Sequence, residues 1–333
     1  MDPDEELAAL LALDALEPGE QADAELRLGT FPPDLADAAA VLAEATTVAP
    51  PPDLRTDTLA RARSRRPPGR PVAAAAPCPP IEAFTRTVDE LDRLLGTLSG
   101  AEWAARAHPE HGRVQDLVAH LVGVERLVLQ WLDQAEPPAD ADVPRDHVAA
   151  TRPAVAELAG ADPQAVAREW RDAARAVAAA AQAWDPDLPT RFHEVPLSVD
   201  DLLVVRVFEL WAHATDICVA TGRPLLDLDA ERLALMSGLL MAMMPMAMSS
   251  RRNPAPGRTA RFVLTGPAGG CYTVPLHPGD RPADPDVTIV AETVDICRLA
   301  ARRLSAHELD VTIEGDAELG NLVLAAMDSF ARD

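Results

Sequence analysis

Between Ile81 and Ser250 the apolar residues return every three or four positions, segment after segment. That period commits the middle of the chain to packed α-helices, because each amphipathic stripe must be buried against another. The segments IEAFTRTVDELDRLLGTL, VQDLVAHLVGVERLVLQWL, PQAVAREWRDAARAVAAAAQAW, VDDLLVVRVFELWAHATDICVATG and the methionine-rich LALMSGLLMAMMPMAM predict a helical bundle over 81–255. Past the loop SSRRNPAPGR the period changes to alternation in TARFVLTG, CYTVPL and DVTIVAE. A helical ETVDICRLAARRL, a strand-like DVTIEG and a last helix DAELGNLVLAAMDSF follow, so 256–333 reads as a small α+β domain. The fold class expected is mainly α.

A chain of 333 residues exceeds what one core usually organises, and the front of this one differs from the rest. Residues 1–64 read as short helices with proline near several starts, while RRPPGRPVAAAAPCPP, residues 65–80, has no apolar period and reads as a linker.

The chain carries 53 acidic and 30 basic residues, a formal charge of -23, so phosphate backbones and anionic lipid surfaces would repel it. Direct nucleic-acid binding is therefore not expected. Every basic residue is arginine, and with abundant Ala and Pro this matches the coding bias of a GC-rich genome. The start MDPDEE lacks the positive charge of a secretory signal, and the most apolar run, 233–248, is interrupted by Ser237, Gly238 and Pro245. A cytoplasmic protein without a membrane span is expected. Cys78, Cys218, Cys271 and Cys297 form no C-x-x-C pair, so any metal would be held by histidine and carboxylate.

The candidate donors lie in two helical segments. Glu209 and His213, four apart in FELWAHATDICVATG, project from one face and can reach a single cation; Asp216 follows one turn later. Such a pair is also what an ordinary solvated face displays. In VQDLVAHLVGVERLVLQWL, His120 sits within the stripe Leu117, Leu121, Val124, Val128 and Trp131, where, taken alone, a core histidine bonded to a backbone carbonyl or Tyr is the commoner case. Taken together, two histidines and one carboxylate make a three-ligand zinc set with a fourth position open, the catalytic kind.

VQDLVAHLVGVE and ELWAHATDICVATGRPL resemble, in that order, the histidine motif and the Glu-x-x-x-His-x-x-Asp motif of the mycothiol-dependent maleylpyruvate isomerase family. That family belongs to the DinB-like superfamily of metal-binding bundles. The resemblance covers roughly 81–333, since the tail resembles the family's C-terminal domain, related in shape to sterol carrier proteins. It implies Zn2+, or another divalent metal, on His120, Glu209 and His213, with Asp216 as the candidate catalytic acid or an orienting group. It also implies mycothiol or a similar low-molecular-weight thiol as cofactor, in an isomerisation or S-transfer on a small molecule. Where the family has an aromatic Gly-Trp element before the first histidine helix, this chain reads PEHGRVQD. Arg251, Arg252, Arg302 and Arg303 are the candidates for binding a substrate carboxylate.

LLALDALEPGEQADAELRL and VLAEATTVAPPPDLRTDTLARARSRR resemble the N-terminal anti-sigma domain of actinobacterial regulators. Arg27, Phe31 and Asp34 stand where the zinc-binding branch has its ligands, so the zinc-free branch is the match. The resemblance implies an alternative sigma factor as partner through residues 1–66. The competing functional reading is an anti-sigma factor whose bundle senses a thiol or metabolite without catalysis. For the methionine run, flexible core filling is expected. For Gly266, Gly269 and Gly270 a hairpin turn is expected rather than a phosphate loop.

Overall fold

The computed structural model describes residues 3–12, 20, 23, 24, 27, 28, 75–132, 147–192, 195–251, 254–327 and 330. The chain divides into two compact units, Met1–Arg70 and Pro71–Asp333. In the first, α1 spans Pro3–Ala12. Most of the anti-sigma-like segment and of the expected linker lies outside the described residues.

The second unit begins with a bundle. Its helices are α2 (Pro80–Gly96), the one-turn α3 (Gly100–Trp103), α4 (Val114–Leu132), α5 (His147–Leu158), α6 (Pro163–Gln182), α7 (Val199–Thr221) and α8 (Ala230–Ser250). Proline opens α2 and α6, where its missing N–H costs nothing. Ser99 with Glu102 and Ser198 with Asp201 form reciprocal caps at the starts of α3 and α7. α7 stops at Gly222, whose positive φ of 67° terminates the helix without a Cβ penalty. Leu117, Leu121, Val124 and Val128 of α4 are buried as the stripe predicts, alongside Phe84, Leu91, Trp170, Leu202 and Leu210 from neighbouring helices. Trp131, assigned to the same stripe, is only partly buried at its edge.

Helix α5 is an element that the periodicity does not reveal. Its sequence HVAATRPAVAEL has a proline inside and little amphipathic contrast. It lies close against α4 because Gly123 has no side chain. A Cβ there would stand 2.8 Å from Thr151 Cβ and 3.1 Å from its Cα. Gly123→Ala is therefore expected to push α5 outward and cost about 1–3 kcal/mol, read as a lowered chemical-denaturation midpoint. An unchanged midpoint would show that the two helices yield without cost.

Small hairpins flank the bundle helices: β1 (Arg106–His108) with β2 (Gly112–Arg113), and β3 (Pro189–Phe192) with β4 (Val195–Ser198), both antiparallel. The C-terminal part is a four-stranded sheet of β5 (Thr259–Thr265), β6 (Gly270–Pro275), β7 (Val287–Glu292) and β8 (Val311–Gly315), with helices α9 (Thr293–Ala300) and α10 (Ala317–Met327). The strand order is β6-β5-β7-β8, with β5 and β7 parallel and both edge strands antiparallel to their neighbours. Ala260, Phe262 and Leu264 of β5 and Val287, Ile289 and Ala291 of β7 are buried at alternate positions, as one packed face requires. The glycines of LTGPAGGCYTV form the β5–β6 turn, closed by a hydrogen bond from Gly269 N–H to the Gly266 carbonyl.

α8 packs on α7 and also on α9, α10 and β6, joining bundle to sheet. Met236, Met241, Met244 and Met248 are buried in that seam, which is core filling by adaptable side chains. By length and composition α8 is also long and apolar enough to cross a membrane, and half of its most apolar window is buried within the protein. The overall class is mainly α, a helical bundle followed by a small α+β part.

Candidate metal centre

Two bundle helices and the first hairpin supply the centre. His120 comes from α4, Glu209 and His213 from α7, and His111 from the turn between β1 and β2. One ring nitrogen from each of His111, His120 and His213 lies within 4.8 Å of the other two, and all three side chains are buried. His111 stacks on His120 with ring centroids 3.9 Å apart, and His213 stands edge-on to both at 5.3 and 5.6 Å. Glu209 enters from α7, its Oε1 3.5 Å from His120 Nε2.

The outer hydrogen bonds decide which nitrogen of each ring faces inward. Thr151 on α5 gives its hydroxyl proton to the Val148 carbonyl, one turn back, so its oxygen accepts from His120 Nδ1–H at 2.7 Å. Nε2 is then the lone-pair nitrogen of His120, and it is the one beside Glu209. His213 Nδ1–H donates to Asp216 Oδ2 at 3.0 Å, leaving its Nε2 the lone pair. Asp216 is in turn gripped by Arg303 from the segment after α9, through Nε at 3.0 Å and through Nη2. A carboxylate behind a ligating histidine fixes the tautomer and raises the basicity of the opposite nitrogen.

Glu209 has a support of its own. Arg206, one turn earlier and fully buried, pairs with it and also with the fully buried Glu125 of α4, 2.7 Å away. Burial drives the Glu125 carboxyl above its ordinary range, against the pull of Arg206. Burial also takes His120 down to about 3, with Glu209 opposing the shift only in part, so its imidazole is neutral near pH 7. For Asp216, burial pushes the carboxyl up, but the hydrogen bonds from His213 and Arg303 outweigh it and the group ends below its usual range. Asp216 is thus held as an anion.

One ring nitrogen from each of three imidazoles comes together at one buried place, with the Glu209 carboxylate beside His120. Neutral imidazoles with a carboxylate are also the donor set that zinc accepts, so these residues fit a divalent metal. The sequence-derived candidates His120, Glu209, His213 and Asp216 all lie here. Of the candidate arginines, Arg303 reaches the centre; Arg251 and Arg302 are exposed, and Arg252 is outside the described residues. Sequence reasoning missed His111, Thr151 and the Glu125–Arg206 pair. Arg303, from the sheet-bearing part, is the cation that holds Asp216. His-Pro-Glu-His-Gly directly before the first motif was the available signal for His111, read as a departure instead of as a donor.

Residues 84–218 match the family described as Mycothiol maleylpyruvate isomerase N-terminal domain, and this segment contains His111, His120, Glu209, His213 and Asp216. The resemblance read from the histidine motifs is thereby supported over those residues. Two uncharacterized proteins of Mycobacterium tuberculosis, Rv0036c and MT0041 from different strains, are each 23% identical over 250 residues, covering 73% of this chain and 92% of theirs. The crystal structure of the mycothiol-dependent maleylpyruvate isomerase superposes with a TM-score of 0.49 at 16% identity, over 70% of this chain and 91% of that one. A mutant of the same enzyme gives 0.47 at 15%.

Proposed function

We propose that the chain binds a divalent metal, zinc by its donor set, on His120, Glu209 and His213, and uses it in thiol-dependent isomerisation or S-transfer. The observation that carries this reading is the inward convergence of the His120 and His213 Nε2 atoms, each with its outer nitrogen tied to a fixed acceptor. The matched domain family makes mycothiol, or a thiol of that class, the reading for the cofactor. A cytoplasmic location accords with such a low-molecular-weight thiol.

When bound, the metal would lower the pKa of a thiol and supply a thiolate nucleophile at neutral pH. The protein's own groups do the rest. Thr151 and Asp216 aim the two imidazoles, Arg206 sets the carboxylate of Glu209, and the apolar residues of α4 and α7 keep bulk water away. Asp216 has one oxygen on His213 and both engaged with Arg303, so we assign it a positioning role and not that of a general base.

The test is metal content followed by chemistry. Untagged protein should hold about one zinc per chain, and folded Glu209→Ala should lose it. The zinc-loaded wild type should then consume a low-molecular-weight thiol in a conjugation assay, or require it in an isomerisation assay that returns the thiol unchanged. No metal in the wild type even after reloading would sink the metal reading; metal without thiol turnover would leave a metal-dependent sensor in place of an enzyme. The anti-sigma-like reading of residues 1–66 remains a separate proposal, checked by whether that segment in the full chain captures one sigma factor.

A further inference from the structure

The two helix-borne histidines, His120 and His213, are joined by His111, which arrives from a different element. Its hairpin is pinned to the first turn of α4. Arg113 N–H donates to Asp116 Oδ2 at 3.2 Å, and its guanidinium grips both Asp116 oxygens at 2.9 Å. Val114 N–H donates to the Ala105 carbonyl at 2.9 Å. Gly112, with φ of 85°, makes the turn that throws His111 inward; a Cβ there would press on Asp116 at 3.2 Å in a conformation that other residues rarely adopt.

The neighbouring His108 shows why only one of the two hairpin histidines is a donor. Its Nδ1 accepts from Glu110 N–H at 3.3 Å, so that lone pair is turned to the hairpin's own backbone. It backs His111 at a centroid distance of 4.7 Å. The ring nitrogen of His111, in contrast, falls within the 4.8 Å cluster with His120 and His213.

We propose that His111 is a fourth protein ligand of the metal, so that the centre is a closed set of three imidazoles and a carboxylate. This rests on the metal reading above. Its consequence would be a centre without a standing vacancy, in which His111, on a hairpin and not on a bundle helix, would be the protein donor an incoming thiol displaces.

Cobalt, a spectroscopic substitute for zinc, separates the possibilities in the full chain. The wild type, His111→Ala, His111→Gln and His108→Ala would be loaded with Co2+ and their visible absorption recorded, with circular dichroism to check folding. The expected result is a changed ligand-field spectrum and at least about tenfold weaker cobalt affinity in both His111 variants, and none of this in His108→Ala. Azide or 2-mercaptoethanol should perturb the His111→Ala spectrum at concentrations that leave the wild type unchanged, and added imidazole should restore the wild-type bands. Cobalt uptake with a spectrum and affinity indifferent to both His111 substitutions overturns the proposal while leaving the three-ligand centre standing. Failure of the wild type to take up cobalt or zinc overturns the metal reading and this proposal with it.

Discussion

Arg206→Leu should destabilise the protein by about 3–5 kcal/mol, more than any other single substitution considered for the bundle. The guanidinium is fully buried and bridges Glu125, also fully buried, to the nearly buried Glu209. Deleting it leaves a carboxylate in the core without the charge that offsets its desolvation. Replacing the pair together, as Glu125→Leu with Arg206→Leu, should recover most of the loss, since removing both charges removes the unpaired one. Denaturation curves of the two single variants and the double variant form the cycle that measures this. Equal losses in the Arg206 single variant and the double variant would show that packing, not charge, sets the cost.

The same substitution should give stability a dependence on pH. Burial already raises the Glu125 carboxyl above its ordinary value in the fold, and loss of Arg206 removes the main force opposing that rise. A carboxyl whose folded pKa lies above its unfolded one favours the fold when protonated. The deficit in Arg206→Leu is therefore smallest below the ordinary carboxylate range and grows as pH rises through the folded pKa. A deficit that stayed constant from acid to neutral pH would place the cost elsewhere.

How much of this was legible in the sequence depended on whether the physics was local. The period that marks α4 and α7 also put His120 in a buried stripe and Glu209 and His213 on one shared face, because a helix repeats its geometry without reference to the rest of the chain. The alternation in TARFVLTG and DVTIVAE marked β5 and β7 for the same reason. Residues whose role comes from another element escaped. Thr151 matters because Gly123 lets α5 approach α4, and no periodicity announces that contact. His111 matters because of the three-residue turn 109–111, and a turn has no period to read. Arg303 belongs to the sheet-bearing part and touches Asp216 across 87 positions of sequence. For such a pair, residue type made it a candidate, and only the packing could select it from the other arginines.

That long-range pair leads to the second large effect. Asp216→Ala should weaken metal binding about 10–100-fold, measured by competition with a chelator, while leaving the three imidazoles and Glu209 in place. The substitution frees the His213 ring, which then spends part of its time with its lone pair turned away from the centre, and it removes the negative charge that makes Nε2 a better donor. Asp216→Asn separates the two causes. Its side-chain oxygen can still accept from His213 Nδ1–H, so orientation survives while charge is lost. Affinity near that of the wild type would assign the effect to orientation, and affinity near that of Asp216→Ala would assign it to charge. Arg303→Ala should act in the same direction more weakly, because Asp216 keeps its bond to His213 but loses the cation that fixes it. If chelator competition were indifferent to all three variants, the link from the α+β part to the centre would be packing alone. A graded loss, with Ala at 216 the largest and Ala at 303 smaller, would mean that the C-terminal part holds the metal-facing histidine in register through one carboxylate.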